Sequence, residues 1–231
     1  MCIRTISQCS NCVLHAICFS IGGGELLLVS KLNVRHGVLA RGEPLYHAGQ
    51  RSAAFYSLRS GCVKDVLNER MGTESVVQFS LPGEAVGMGC FAKTRTQTTA
   101  VAVTATQYCR VLLTSVQRLA NEVPEIGREL LRLLAVTMIA TQQRVVVMFE
   151  RDALTRVAGF LLDMSERLQR AGLDGSRFSL GLSRRDIASY LGMTLETSSR
   201  CLTELHERRL IEVRAKQLWL LRPAELKLIG N

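Results

Sequence analysis

Residues 183–210 constrain this chain most. Ser183 followed by Asp186 is the pattern of a helix start, in which a hydroxyl and an acid cap backbone N–H groups reciprocally. Ile187, Ala188 and Leu191 then share one apolar face, and Gly192 supplies the break that a turn between helices needs. Thr194 can cap a second helix running to about Glu207, with Ser198, Cys201, Leu202 and Leu205 facing inward. Two short helices about such a turn make a helix-turn-helix, whose second helix enters a DNA major groove. Ile211 to Leu220 predicts a small hairpin beside it, the wing of a winged helix. A helical hairpin without any DNA role would share the same local pattern.

Glu196, Ser199 and Arg200 lie three and four residues apart, on one exposed face at the start of the second helix. Arginine can donate twice to guanine and glutamate can accept from cytosine, so these are the candidate base readers. Glu196 and Arg200 could equally form a surface ion pair worth about 0.3–0.5 kcal/mol. Ser183, Arg184, Arg185 and Lys216 are the candidate phosphate contacts, which fix register without reading sequence.

Charge agrees without locating anything. Lys and Arg number 29 against 20 Asp and Glu, a net charge of +9 that suits a polyanionic partner. The excess is spread: residues 1–150 carry 15 basic and 10 acidic groups, residues 151–231 carry 14 and 10. No uninterrupted apolar run approaches the roughly 20 residues that span a bilayer, the longest being Val145 to Phe149. The N-terminus does not read as a secretory signal, which predicts a cytoplasmic chain. No Gly-rich phosphate loop, zinc-protease helix or nucleophile elbow is present, so the chain is not expected to be an enzyme.

Upstream, turn residues at 41–43, 48–50, 60–61, 71–73 and 82–84 divide short apolar segments of strand length. Regular short strands predict a sandwich or jelly roll, and the alternating β-branched run Thr99 to Thr106 predicts one of its strands. From Pro124 the period becomes helical, through Ile126, Leu130, Leu131, Leu133, Leu134, Met138, Ile139, Val145, Val146, Met148 and Phe149. No Pro or Gly follows Arg128 before Gly159, so one helix can exceed about 25 residues, a length that suggests an intersubunit helix. A buried core helix is the plainer reading. The expected fold is α+β, with a cysteine-rich segment (1–24), a β roll (25–121), a long dimerisation helix (122–150) and a winged helix-turn-helix (151–231).

Eight cysteines in a reducing compartment argue for metal or redox chemistry over disulfides. Cys9, Cys12 and Cys18 have C-x2-C-x5-C spacing and can converge on one metal centre. Iron–sulfur clusters usually need a fourth cysteine, which by spacing could be Cys2, Cys62, Cys90 or Cys109. Zinc is the chemical alternative, with His15 inside the loop. Cys62, Cys90 and Cys201 also suit the role of small buried hydrophobes.

The stretch from Leu182 to Arg200 resembles the DNA-binding helices of the CRP/FNR family, and Glu196-x-x-Ser199-Arg200 is similar to its FNR branch. The segments 41–49 and 81–87 resemble the family's sensory roll, and the helix from Pro124 its dimerisation helix. The resemblance implies a homodimer reading a TTGAT-type palindrome, with Leu130, Leu134, Met138, Ile139, Val145 and Met148 on the dimer helix. It also implies contact with RNA polymerase. It selects Cys109 as the fourth ligand, giving an oxygen-labile 4Fe–4S cluster on Cys9, Cys12, Cys18 and Cys109. Cyclic nucleotide binding is not expected, because segments 86–91 and 96–101 lack the Glu and Arg that such a roll places on its ligand. Residues 130–149 contain Arg132 and Arg144 but no acid, so the cluster-free chain is expected to dimerise readily.

Overall fold

The computed structural model describes residues 12, 14–15, 31–68, 74–149, 152–179, 181–214 and 217–230. The chain divides into two compact units, residues 1–138 and residues 139–231.

Among its described residues the first unit holds eight strands: β1 (Arg35–Leu39), β2 (Pro44–Tyr46), β3 (Ala54–Ser60), β4 (Val63–Asn68), β5 (Glu74–Ser80), β6 (Ala85–Val86), β7 (Thr99–Ala102) and β8 (Thr106–Leu112). They form two antiparallel four-stranded sheets, ordered β1-β8-β3-β6 and β2-β7-β4-β5. This alternation of strands between two sheets is the jelly roll that the turn spacing predicted. Between the sheets lie Tyr46, Leu58, Val63, Val86 and Ala100, with Tyr56 and Tyr108 packed against them.

The run Thr99 to Thr106 is two strands rather than one. It breaks because the chain passes from one sheet to the other there. Val103 N–H donates to Cys62 O, and the Thr106 hydroxyl donates to Thr104 O, closing the corner. Gly61 makes the close approach possible. Its φ is +86°, and a Cβ there would collide with the backbone of Ala105 and Thr106.

Within the segment 25–121 expected as the roll domain, residues 113–121 are helical, as part of α1 (Leu113–Glu122). After Val123 the long helix α2 runs Pro124–Phe149, 26 residues, with Pro at its first position as anticipated. The outer face of the β1-β8-β3-β6 sheet supports a second core of Phe55 and Val111. Over them pack Val116 and Leu119 of α1, Ile126 and Leu133 of α2, and Leu14 and Leu32 from the N-terminal region.

The second unit contains α3 (Ala153–Arg170), β9 (Arg177–Ser179), α4 (Arg184–Tyr190), α5 (Leu195–Glu207), β10 (Ile211–Arg214), β11 (Gln217–Leu220) and α6 (Pro223–Gly230). Helix α3 packs on α5 and α6, and the three strands form one sheet in the order β10-β11-β9. The hairpin β10-β11 is the expected wing, with β9 as an added third strand.

Candidate nucleic-acid interface and cysteine site

Local chemistry sets the helix-turn-helix. Ser183 Oγ accepts from Asp186 N–H at 3.0 Å while the Asp186 carboxylate accepts from Ser183 N–H at 3.1 Å, a complete capping box. Helix α4 ends at Leu191, and Gly192 turns the chain at φ +60°. The Thr194 hydroxyl then accepts from Thr197 N–H at 3.1 Å and starts α5. From α3, Arg156 donates to Leu191 O at 3.0 Å and pins the turn. Ile187, Ala188, Leu191, Cys201, Leu202, Leu205, Leu210 and Ile211 are buried beneath.

Every described residue of the predicted interface lies at the start of a helix. Ser183, Arg184 and Arg185 are exposed at the first turn of α4. Glu196 and Arg200 are exposed at the start of α5, and Ser199 between them is half-buried. Glu196 and Arg200 form no ion pair with each other among the described residues, so both heads are available to a partner. Lys216 lies outside the described residues. The sequence reading missed Arg177, whose guanidinium stacks on Trp219 at 5.5 Å and donates to Gln217 Oε1 at 2.8 Å, bracing the wing.

Helix α2 presents a second surface. Leu131, Leu134, Met138, Thr141, Val145 and Met148 recur at spacings of three and four, the spacing of a heptad repeat. Leu131 is 68% exposed, and Met138, Ile139, Val145, Val146 and Phe149 are exposed too. Leu134 is half-buried. Leu130 packs partly against the core of its own subunit, and Met148 borders a cleft with Gly159, Phe160 and Leu162. An 18-residue stretch of this helix is long and apolar enough, on average, to cross a membrane, although its longest unbroken apolar run is only Val145 to Phe149.

The cysteines gather on the outer face of the β1-β8-β3-β6 sheet. Register sets Cys109 of β8 directly across from Ser57 of β3 and from His36 of β1. The Cys12 sulfur lies 3.1 Å from Ser57 Oγ. Thus Cys12 and Cys109 share one patch with Ser57 between them, both half-buried and neither in a disulfide. His36 Nδ1 stands 3.4 Å from Cys109 Sγ. Burial, and then the charge of Arg59, hold the His36 pKa below its usual value. Arg59 occupies the irregularity where β3 slips register against β8.

Cys9 and Cys18 lie outside the described residues, as does Cys2. Among the described residues no three His, Cys, Asp or Glu side chains gather at metal-binding distance. Two sulfurs do converge, however, and Cys9 and Cys18 flank Cys12 by only three and six residues. A chain of that length reaches at most about 10–20 Å, so the donor set fits a single thiolate-bound centre. Cys62, Cys90 and Cys201 are buried among hydrophobic side chains, and burial pushes the Cys90 thiol up to about 11. They suit packing, not ligation. His36, Ser57 and Arg59 escaped the sequence reading, because only strand register brings them to Cys109.

Inside the roll, Asp65 is buried and accepts from the Tyr46 hydroxyl at 2.7 Å and from the Thr98 hydroxyl at 3.0 Å. Burial, followed by the hydrogen bonds from Tyr46 and Thr98 that oppose it, leaves its pKa raised.

Comparison with known proteins agrees with both halves of this geometry. Residues 37–122 match the cyclic nucleotide-binding domain, and residues 155–229 match the Crp-like helix-turn-helix domain. The chain is 27% identical to the fumarate and nitrate reduction regulatory protein of Vibrio cholerae, covering 95% of this chain and 88% of that protein. It is 28% identical to the transcriptional activator protein Anr of Pseudomonas protegens, over 95% and 91% of the two chains. The solved structure of FixK2 from Bradyrhizobium japonicum superposes with a TM-score of 0.77 at 26% identity, covering 86% of this chain and 98% of that one.

Proposed function

Because this chain belongs to the CRP/FNR family of transcription regulators, and is a DNA-binding regulator and not an enzyme, we propose that it governs an anaerobic response as an oxygen-sensing homodimer in the cytoplasm. The sensor is a 4Fe–4S cluster held by Cys9, Cys12, Cys18 and Cys109. The observation that carries this reading is the placement of Cys12 beside Ser57, opposite Cys109 on one sheet face. Relatives whose names refer to fumarate and nitrate reduction or to anaerobic regulation support it.

When bound, such a cluster supplies an oxygen-labile anionic centre. The residues supply the coupling. Ligation by Cys12 and Cys109 fastens the N-terminal segment to β8, and β8 runs straight into α1 and then α2. Leu14, two residues after Cys12, is buried in the same core as Val116, Ile126 and Leu133. Releasing Cys12 therefore loosens the packing under the first turns of α2. The heptad seam of α2 pairs two subunits, and the paired α5 helices read the two halves of a TTGAT-type palindrome through Glu196, Ser199 and Arg200. The dimer acts on RNA polymerase.

Anaerobic purification with iron and sulfide assays and a visible spectrum tests the sensor. Iron and sulfide in about equal amounts, with a broad visible band lost in air and absent from Cys109→Ala, is the expected result. A colourless protein holding zinc would move the sensing role to thiol chemistry on the same cysteines.

A further inference from the structure

We propose that His36 is a positioning residue for the cluster, donating its Nδ1–H to the sulfur of Cys109. This inference rests on the cluster reading above. His36 and Cys109 are direct partners in the β1–β8 register, and the ring nitrogen is within N–H···S reach at 3.4 Å. The position is set by strand pairing and not by a loop: β1 pairs with β8 at all five of its residues, Arg35 to Leu39. A donor held on a rigid element keeps its geometry when the ligand binds.

The chemistry of the sulfur gives the donor a purpose. A cluster-bound cysteine is a thiolate, and a hydrogen bond to it withdraws electron density from the iron. Hydrogen bonds to ligand sulfurs are one of the terms that set iron–sulfur potentials. The same contact orients the ligand, as outer partners do at other metal sites. On the far side, Ser57 Oγ lies 3.1 Å from the Cys12 sulfur, so each of the two candidate ligand sulfurs among the described residues has a polar neighbour on a strand of this sheet.

The test is a spectroelectrochemical titration of the full-length protein, reconstituted anaerobically, as wild type, His36→Phe and His36→Asn. The phenylalanine keeps the ring and removes the donor. The asparagine amide places an N–H near the position of Nδ1. A downward shift of the midpoint potential in His36→Phe, with iron and sulfide content unchanged, and recovery of most of that shift in His36→Asn, is the expected result. Equal potentials for wild type and His36→Phe overturn the proposal. So does a His36→Asn potential as low as that of the phenylalanine variant, since ring packing would then be at work. Loss of iron from both variants, with wild type loaded, would make His36 a ligand and also overturn it. Wild-type protein that takes up no cluster at all defeats the cluster reading instead, and is seen before any variant is measured.

Discussion

Tyr108 lies across Gly37, its ring filling the space that a β-carbon on Gly37 would need. The two are partners in the β1–β8 register, and Tyr108 in turn meets Tyr56 edge-on at 5.5 Å. The absent side chain on β1 therefore lets an aromatic ring close the roll one residue before Cys109. Gly37→Ala should destabilise the first unit by about 1–3 kcal/mol, the range for forcing atoms into a filled core. Adding Tyr108→Ala to it should cost less than the sum of the two single changes, because the clash is gone. Urea unfolding of the three variants measures this, and strict additivity would count against the packing account.

Base reading and backbone attraction separate by salt. Arg200→Ala should weaken binding to a TTGAT-type site by about 1–3 kcal/mol and relax preference at one base pair. Arg184→Ala and Arg185→Ala should weaken binding to all sequences alike, each lowering the slope of log K against log salt by about 1. Fluorescence anisotropy across a salt series distinguishes the two patterns.

Two carboxylates should give stability opposite dependences on pH. Asp152 caps α3, accepting from Thr155 N–H at 2.9 Å, and that bond holds its pKa below the ordinary 3.8. A depressed acid contributes stability that is present above its unfolded pKa and lost as pH falls through the folded value. Asp152→Ala should cost about 0.5–1 kcal/mol near neutrality, the low end for an exposed cap, and almost nothing in strong acid. Asp65 is the reverse case. Burial raises its pKa, so its stabilising effect is full at low pH and declines as pH rises through the folded value. Asp65→Asn should flatten that decline, and thermal melts from pH 3 to 8 follow both.

The seam on α2 has no acid between Leu130 and Phe149. Sedimentation of cluster-free protein should therefore show dimer at micromolar concentration. Met138→Glu and Val145→Glu place like charges across a two-fold seam and should yield monomers with weak operator binding. Monomer alone in the unmodified apo protein would contradict the proposed seam.

What the sequence made legible was whatever short-range chemistry decides. The capping box at Ser183, the turn at Gly192, the cap at Thr194 and the start of α2 at Pro124 each depend on neighbours within four residues. The misreadings are long-range. Thr99 to Thr106 has strand chemistry throughout, yet the sheet crossing at Val103 depends on Cys62, far away in sequence. Residues 113–121 become helical to cover Phe55 and Val111, an outer core that no local period announces. The same limit applies at the proposed cysteine site. Cysteine spacing pointed to Cys12, but His36 and Ser57 join Cys109 only through register.

The capped geometry of α4 and α5 has a calorimetric consequence. Both helices begin with side-chain caps already formed, and the turn between them is pinned by Arg156 in the free protein. Little chain remains to be ordered when an operator is met. Each half-site should thus be engaged by a surface in its final form, and the heat-capacity change of association should track the contact area alone, without the additional term that a segment folding onto DNA would bring.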